Sequence, residues 1–255
     1  MKPGELDAYL NRIGYAGERA PSVEVLGALM DAHVRAIPFE NLDVLAGRSI
    51  SLEPDDLMEK LVHRHRGGYC FEHHGLFERV LDAIGFEVEP LAARVRIKRA
   101  RDEIPPRTHV CLAVQLGQER WLVDVGVGGL SSTGPIRFVA DVEQATPHEP
   151  RRLLREDDRW WHQARLGDEW IDVAELTGER MPRVDREIAN WFTSTHPSSV
   201  FRKEAMVARA LPSGGRLTLR GNALTRRENG NTERQELATE AEIDEALRSG
   251  FGLRA

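Results

Sequence analysis

The residue with the clearest potential for chemistry is Cys70, which lies where a glycine-rich stretch at residues 66–69 meets a predicted helix. The first backbone N–H groups of a helix have no partner inside the helix and carry a partial positive charge, so they favour an anion. A thiol in such a place ionises more readily than a free cysteine, whose pKa is about 8.5. The pattern favours a nucleophilic cysteine, although a buried structural thiol at a loop-to-helix junction would give the same sequence.

Two predicted strands offer partners for that thiol. His109 begins an apolar run at residues 109–116, and Asp124 lies in the next run, residues 121–125, after a short turn, so the two runs predict an antiparallel hairpin. A carboxylate in an apolar strand is costly unless a charged or hydrogen-bonding group meets it. Cys70 could then attack, with His109 as its base and Asp124 holding the imidazole. A purely structural His–Asp pair fits the same spacing.

Five short segments, spread over nearly the whole chain, form a recognisable set. They are residues 37–43 (Ile-Pro-Phe-Glu-Asn-Leu-Asp), 66–72 (Arg-Gly-Gly-Tyr-Cys-Phe-Glu), 108–110 (Thr-His-Val), 123–129 (Val-Asp-Val-Gly-Val-Gly-Gly) and 251–253 (Phe-Gly-Leu). Together and in this order they resemble the arylamine N-acetyltransferase family of bacterial type. The resemblance implies an acyltransferase with acetyl-CoA as co-substrate and no metal, whose catalytic triad is Cys70, His109 and Asp124.

The resemblance also implies an α+β fold in three parts around a Cys-His-Asp core like that of the cysteine proteases. An N-terminal helical bundle, residues 1–85, would carry the nucleophile. A central β-barrel, residues 86–190, would carry the histidine and aspartate, and residues 191–255 would form a C-terminal α/β lid.

The hydrophobic pattern agrees with this layout. Helical spacing before Gly14, after Ser22, after Pro54 and between Cys70 and Gly85 predicts a helical first part. Short β-like runs follow, at residues 91–97, 110–116, 121–125, 159–165 and 169–173. In the last part, Asn229-Gly230 predicts a hairpin between strands at residues 216–225 and 232–237. Thr239 and Glu242 predict a capped helix that ends near Gly250.

The resemblance assigns further side chains to the substrates. The residues that it places around the acyl and acceptor cleft are Phe39, Tyr69, Val95, Thr108, Val127 and Phe201. The apolar members of this set would serve equally well as ordinary core. It also allows the backbone of Gly126, Gly128 and Gly129 to approach CoA, although a glycine turn alone is a weak signal.

The chain departs from the family pattern near these positions. Val127 stands where a phenylalanine is usual, His74 where an asparagine is usual, and Pro105-Pro106 precede His109. The Val127 difference should reshape the acceptor pocket and weaken stacking on an aromatic amine.

Composition narrows the function classes. The 255 residues are 41% hydrophobic and 30% charged with a net charge of −6, which gives no support for binding nucleic acid. No run approaches the roughly 20 apolar residues of a membrane span, and the N-terminus lacks the apolar core of a signal peptide. Two cysteines make no disulfide framework, and a nucleophilic thiol needs a reducing compartment, so we expect a cytoplasmic enzyme. Its expected partners are a small aromatic amine or hydrazine and a second copy of the chain.

Other interpretations stay open. The same triad would serve an amide synthase, or a hydrolase of thioesters or arylamides. Cys111 is a rival nucleophile, but it lacks a helix end. A zinc site could use His63, His65, Cys70, His73 and His74, yet adjacent helical residues point about 100° apart and no second cysteine pair completes a ligand set. A binding protein without catalysis is the remaining class.

Overall fold

The structure is a computed structural model that describes residues 1–253. Its first part is mainly helical, as the sequence predicts. The helices are α1 (Glu5–Ile13), α2 (Val23–Ala36), α3 (Leu42–Leu45), α4 (Pro54–Leu57, continued by a π-helical turn, Met58–His63) and α5 (Cys70–Ile84). The predicted ends are confirmed: Gly14 and Gly85 follow α1 and α5 with φ of 68° and 103°, and the Ser22 hydroxyl accepts the Val25 N–H at the start of α2.

A short strand in the helical part, β1 (Phe39–Glu40), is followed by β2 (Glu87–Val95), β3 (His109–Leu116), β4 (Glu119–Val123), β5 (Ile136–Arg137), β6 (Arg151–Glu156), β7 (Arg159–Leu166) and β8 (Glu169–Arg180). Within the described residues, β2 to β8 form a seven-stranded antiparallel sheet with strand order β5-β4-β3-β2-β8-β7-β6. Single bridges from Ala140 to Leu153 and from Gln144 to Arg151 join the segment after β5 to β6. The sheet therefore nearly closes on itself, and the predicted barrel is confirmed.

A second sheet, five-stranded over residues 1–253, has the order β1-β9-β10-β11-β12 and is antiparallel. Its strands are β1 (Phe39–Glu40), β9 (Met206–Ala210), β10 (Arg216–Arg220), β11 (Ala223–Glu228) and β12 (Asn231–Glu236). Two α-helices accompany it, α6 (Arg183–Thr195) before β9 and α7 (Glu240–Glu245, continued by a π-helical turn, Ala246–Gly250) after β12. The three-part layout of the fold is therefore as predicted, with β1 contributed by the N-terminal part.

One predicted strand in this sheet is wrong. The chain at residues 216–225 reverses at Gly221, where φ is 59°, so it forms two paired strands instead of one. The predicted turn at Asn229-Gly230 is confirmed, with φ of 52° and 77° at its two residues. The predicted domain boundaries stay predictions; α6 runs across residue 190, where one of them falls.

The largest apolar core joins the helices to the barrel. It packs α1, α2 and α5 against β3 and β4, with Leu26, Leu29 and Phe77 on the helical side and Leu112 and Val114 on the strand side. Because α5 lies on β3, its first residue is held near the beginning of that strand. Among residues 1–253, no helix has the length and apolar character needed to cross a membrane.

Asn41 connects the first part of the chain to the C-terminal sheet. Its side-chain amide donates to the carbonyls of Phe201 and Glu204 at 2.8 and 2.9 Å, and its oxygen accepts the Met206 N–H at 2.8 Å. Asn41 itself is buried, and the three bonds are partly shielded from water. One side chain thus satisfies three backbone groups from the segment that leads into β9.

We expect Asn41→Ala to lower the free energy of unfolding by about 2–3 kcal/mol, because it removes three side-chain hydrogen bonds that each typically contribute about 0.5–1.5 kcal/mol. The melting temperature should fall by roughly 5–10 °C in calorimetry. Asn222→Ala is the control, since Asn222 makes one 3.2 Å side-chain bond to the Leu237 carbonyl. Equal losses in the two variants would show that Asn41 does not connect the two parts.

Candidate active site

Cys70 is the first residue of α5, and the loop before it is tightly fixed. The Tyr69 N–H donates to Glu72 Oε2 at 3.0 Å, which caps the helix from within its first turn. A Cβ on Gly67 would lie 2.1 Å from the Pro38 carbonyl oxygen, so only glycine fits there. The thiol therefore lies at a helix N-terminus, as predicted.

A cluster of charged side chains fixes the loop that precedes Cys70. Lys60 contacts Glu72 at 2.6 Å and Asp43 at 2.8 Å, and Arg66 contacts Glu40 at 2.9 Å. Burial raises the pKa of Glu72 to about 7, and the Lys60 ammonium opposes that shift. The cluster attaches the helix start to the segment after β1, so the position of the thiol depends on charges from three parts of the chain.

His109 and Asp124 meet in the buried interior. The His109 Nε2–H faces both carboxylate oxygens of Asp124 at 3.1 Å, where β3 begins and just after β4 ends. Burial alone would lower the pKa of His109, but the Asp124 charge and hydrogen bond and the Cys70 thiol raise it to about 10. In turn, burial favours the neutral acid, yet His109 holds the pKa of Asp124 well below its usual range. The pair is thus a carboxylate with an imidazolium.

The Cys70 thiol lies beside this pair. Its Sγ donates to the carbonyl of Thr108 at 3.7 Å, and Thr108 directly precedes His109. The thiol also contributes by hydrogen bond and charge to the raised pKa of His109. The structure therefore brings together the three residues predicted from the sequence, in the arrangement that activates a nucleophilic thiol.

His74 and Gly126 make the contacts between the start of α5 and the segment that follows β4. The Val125 N–H donates to His74 Nε2 at 3.2 Å, and His74 Nδ1–H donates to the Cys70 carbonyl at 2.9 Å. A Cβ on Gly126 would lie 2.8 Å from the His74 ring and 3.0 Å from the Cys70 Cα. The close approach of the two segments requires glycine, which fixes the spacing between thiol and carboxylate.

Comparison with known proteins shows which family the chain resembles. A family model described as N-acetyltransferase matches residues 22–255. The arylamine N-acetyltransferase of Escherichia coli (strain K12) is 41% identical over 249 residues, which are 97% of this chain and 88% of that protein. The solved arylamine N-acetyltransferase from M. tuberculosis superposes with a TM-score of 0.94 at 41% identity, over 97% of this chain and 93% of that one.

The chain belongs to the arylamine N-acetyltransferase family. A further solved member, from Mycobacterium marinum in complex with CoA, has a TM-score of 0.93 and 40% identity over 97% of this chain and 92% of that one. The expected enzyme class, acyltransferase, is confirmed by these relatives.

The residues predicted to line the substrate cleft fall into two apolar clusters in this family member. Phe39, Tyr69 and Phe201 pack with Cys70, and the Phe201 ring lies 6.1 Å from Phe39 and 5.5 Å from Tyr69. Tyr69 is fully buried, and its hydroxyl donates to the Asn190 side chain.

The second cluster lies on the barrel. Val127 is buried with Leu130, Ala164 and Val173, and Val95 packs at its edge. Thr108 contacts the thiol through its carbonyl. Their roles in substrate binding stay predictions.

The three glycines assigned to CoA pack closely against the protein itself. Gly126 faces Cys70 and His74, a Cβ on Gly128 would lie 3.5 Å from the Phe39 ring, and one on Gly129 would lie 3.1 Å from Thr218 Cγ2. Gly128 also has a φ of 89°, which favours glycine. Close packing thus explains Gly126 and Gly129, and the backbone conformation explains Gly128; their contact with CoA stays a prediction.

The alternative nucleophile and the proposed zinc ligands make other contacts in the structure. Burial raises the pKa of Cys111 well above its usual value, and its thiol donates to the Leu91 carbonyl at 3.8 Å. His73 pairs with His33 at 2.7 Å instead of turning toward Cys70. In the part of the chain that the structure describes, no three His, Cys, Asp or Glu side chains are grouped as metal ligands.

Sequence reasoning missed two residues near the triad. His162 lies in β7, with Nδ1 3.8 Å from Asp124 Oδ2, and Arg151 in β6 contacts the other side of that ring. Both are fully buried. A histidine beside two tryptophans, inside a short β-like run, was the signal available in the sequence.

The buried histidines predict strong acid destabilisation. Burial lowers the pKa of His73, His74 and His162 to about 3, 4 and 3. Because these values lie below the unfolded value of about 6.5, the unfolded chain binds protons first, and stability is lost as pH falls from 6.5 toward 4. Glu72 acts in the opposite direction: because its pKa is raised, it binds a proton at a higher pH in the folded chain than in the unfolded chain. That proton offsets the destabilisation from one of the three histidines.

The free energy of unfolding, measured in urea at pH 7, 6 and 5, should therefore decline steeply as the pH falls. The decline should be about 1.4 kcal/mol per pH unit for each net proton that unfolding takes up. His73→Gln should reduce that slope by the contribution of about one proton, or about 1.4 kcal/mol per pH unit. His196→Asn is the control, because His196 is exposed. An unchanged slope in His73→Gln would contradict the assignment.

Proposed function

We propose that this enzyme transfers an acetyl group from acetyl-CoA to an arylamine in two steps, through a thioester on Cys70. The observation that supports it most directly is the thiol at the start of α5 beside the buried His109–Asp124 pair. The M. marinum relative, solved in complex with CoA, supports CoA as the carrier of the acyl group.

In the first step the Cys70 thiolate, whose proton His109 holds as an imidazolium, attacks the thioester carbonyl of acetyl-CoA. The carbonyl oxygen becomes an oxyanion, which needs backbone N–H donors; one such donor typically contributes about 2.7–4 kcal/mol. The Cys70 N–H is one candidate, since it belongs to the first turn of α5. The carbon–sulfur bond to CoA breaks, His109 returns the proton to the leaving sulfur, and acetyl-Cys70 remains.

In the second step the acceptor nitrogen attacks acetyl-Cys70. His109 takes a proton from that nitrogen, the carbon–sulfur bond to Cys70 breaks, and the thiolate with its imidazolium partner is restored. Asp124 keeps the ring oriented through both steps. An aromatic amine suits this reaction because it is weakly basic and mostly unprotonated at neutral pH.

The proposed acceptors are small arylamines, arylhydrazines and N-hydroxyarylamines, as in the metabolism of xenobiotics. Phe39, Phe201 and Val127 would line the acceptor site, with Tyr69, Val95 and Thr108 around them. Aliphatic Val127 offers less stacking to an aromatic ring than phenylalanine would. CoA would lie near Gly126, Gly128 and Gly129.

We further propose that the enzyme works in the cytoplasm, where a nucleophilic thiol stays reduced; both cysteines are free in the structure. The homodimer expected from the sequence also stays a proposal. Sedimentation velocity of the purified chain tests it: a single monomeric species at micromolar concentration would reject it.

Brief mixing of the enzyme with acetyl-CoA alone should add the mass of one acetyl group to the peptide that contains Cys70. Adding p-anisidine or hydralazine should then remove that mass and yield the acetylated acceptor. Intact-protein and peptide mass spectrometry measure both steps. Cys70→Ala should abolish the adduct, because Cys111, the other cysteine of the sequence, is buried and its thiol donates to the Leu91 carbonyl.

Cys111→Ala is the matched control and should keep both steps, since its buried thiol contacts the Leu91 carbonyl. An acetyl group on Cys111, or turnover by Cys70→Ala, would reject the mechanism. Loss of the adduct without an acceptor, at the rate measured with one, would favour the hydrolase instead.

A further inference from the structure

The Asp124 carboxylate is surrounded by three imidazole rings, and the triad uses one of them. Besides His109, His74 places Nε2 3.5 Å from Oδ1, and His162 places Nδ1 3.8 Å from Oδ2. All three rings and the carboxylate are buried. A buried carboxylate depends on the hydrogens that point toward it, so the protonated nitrogen of each ring decides its role.

His74 presents no hydrogen to Asp124. Its Nε2 accepts the Val125 N–H at 3.2 Å, so that nitrogen carries a lone pair. Its proton is on Nδ1 and goes to the Cys70 carbonyl at 2.9 Å. His74 therefore connects two backbone segments without holding the carboxylate.

His162 has the opposite arrangement. Arg151 Nη1 lies 3.2 Å from His162 Nε2, and a guanidinium can only donate, so Nε2 is the acceptor. The ring is neutral, because burial and the Arg151 charge lower its pKa to about 3. Its single proton must then be on Nδ1, which has no hydrogen-bond partner among the described residues and lies 3.8 Å from Asp124 Oδ2.

Oδ2 has room for that donor. Oδ1 faces the His109 Nε2–H and, at 3.4 Å, the Gly126 N–H, whereas His109 is the one donor recorded for Oδ2 among residues 1–253. Hydrogen bonds at catalytic sites are often long in the free enzyme and shorten during the reaction. A small shift of the carboxylate would complete the bond from His162.

Arg151 is in turn held by groups that reach to the C-terminal sheet. Its Nη2 contacts Glu149 Oε2 at 3.1 Å. Arg216 on β10 grips both oxygens of Glu149 at 3.1 and 2.7 Å, and Arg227, its neighbour on β11, reaches Oε1 at 2.7 Å. Burial would favour the neutral acid, but these guanidinium groups lower the pKa of Glu149 to about 2. Arg151 therefore has a fixed position, and it shares the single charge of Glu149 with two other guanidinium groups.

We propose that His162 is a positioning residue of the triad: its Nδ1–H holds Asp124 Oδ2, and Arg151, fixed by Glu149 and the C-terminal sheet, holds the ring in that tautomer. The proposal rests on the proposed function of Asp124. The intervening ring has a physical purpose, because a guanidinium bonded directly to Asp124 would neutralise the carboxylate that must stabilise the His109 imidazolium. The neutral ring orients the carboxylate and leaves its charge for His109.

The test compares two variants that differ in one donor. In His162→Asn the side-chain N–H₂ occupies the place of Nδ1, whereas His162→Leu has similar volume and no donor; both lose the acceptor for Arg151. At saturating acetyl-CoA, His162→Leu should acetylate Cys70 about tenfold more slowly in single turnover, since the carboxylate is no longer fixed. The concentration for half-saturation should change by less than about twofold, because binding is untouched. His162→Asn should recover most of the rate.

Equal rates in His162→Leu and the wild type, or equal losses in both variants, would overturn the proposal. The control variant is His148→Asn. His148 precedes Glu149 in sequence, but its ring bonds to the Leu211 carbonyl, so this variant should acetylate Cys70 at the wild-type rate. Absence of acetyl-Cys70 in the wild type would instead reject the proposed function, so the two failures are distinguishable.

A measurement on the wild-type enzyme covers the case in which a variant does not fold. Nitrogen-15 NMR of the histidine rings, with His162 assigned by the loss of its signal in His162→Asn or by sequential connectivity, reports which nitrogen carries the proton. A neutral His162 protonated on Nδ1 is expected. A proton on Nε2, or a doubly protonated ring at pH 7, would overturn the proposal.

Discussion

The burial of the Asp124 carboxylate is the constraint on which the rest of the site depends. A charge without water is tolerated only where fixed hydrogens surround it. Here those hydrogens come from His109 on β3 and from the Gly126 backbone just after β4, with the His162 ring on β7 placed nearby. These positions lie far apart in sequence, and a nearly closed barrel is what brings them to one point. The imidazolium of His109 follows from the same charge, since burial alone would keep that ring neutral.

The Cys70 thiol is positioned by a separate set of interactions, and the two sets meet at a few contacts. The charged cluster of Lys60, Arg66 and Glu72 fixes the loop before α5, while the apolar core sets α5 on β3. His74 and Gly126 then determine how closely the helix start approaches the strand that carries Asp124. Helix packing thus places the Cys70 thiol, and the barrel places His109. The distance between the two side chains therefore depends on the contacts between α5 and the barrel.

The sequence was sufficient for local features and for residues that a familiar motif contains. Caps at Ser22, Gly14 and Gly85 mark helix ends through neighbouring residues, and Cys70, His109 and Asp124 belong to short recognisable segments. The break of the predicted strand at Gly221 was missed even though Gly221-Asn222 is itself a two-residue hairpin signal between two strand-like runs. His162 and Arg151 could not be found because their roles come from strand order: β6 and β7 reach the triad only when the barrel curls, which no local pattern encodes.

The buried cluster of Glu149, Arg151 and Arg216 is difficult to explain by stability alone. Burying such charges is costly, and apolar side chains of similar volume often do as well or better. An apolar cluster, however, cannot decide which nitrogen of a neighbouring imidazole carries the proton. Arg151 does so, because a guanidinium has hydrogens to give and no lone pair to receive one. The C-terminal sheet, by holding Glu149, therefore takes part in defining the triad, and a part of the chain that contributes no triad residue still fixes the direction in which the triad carboxylate points.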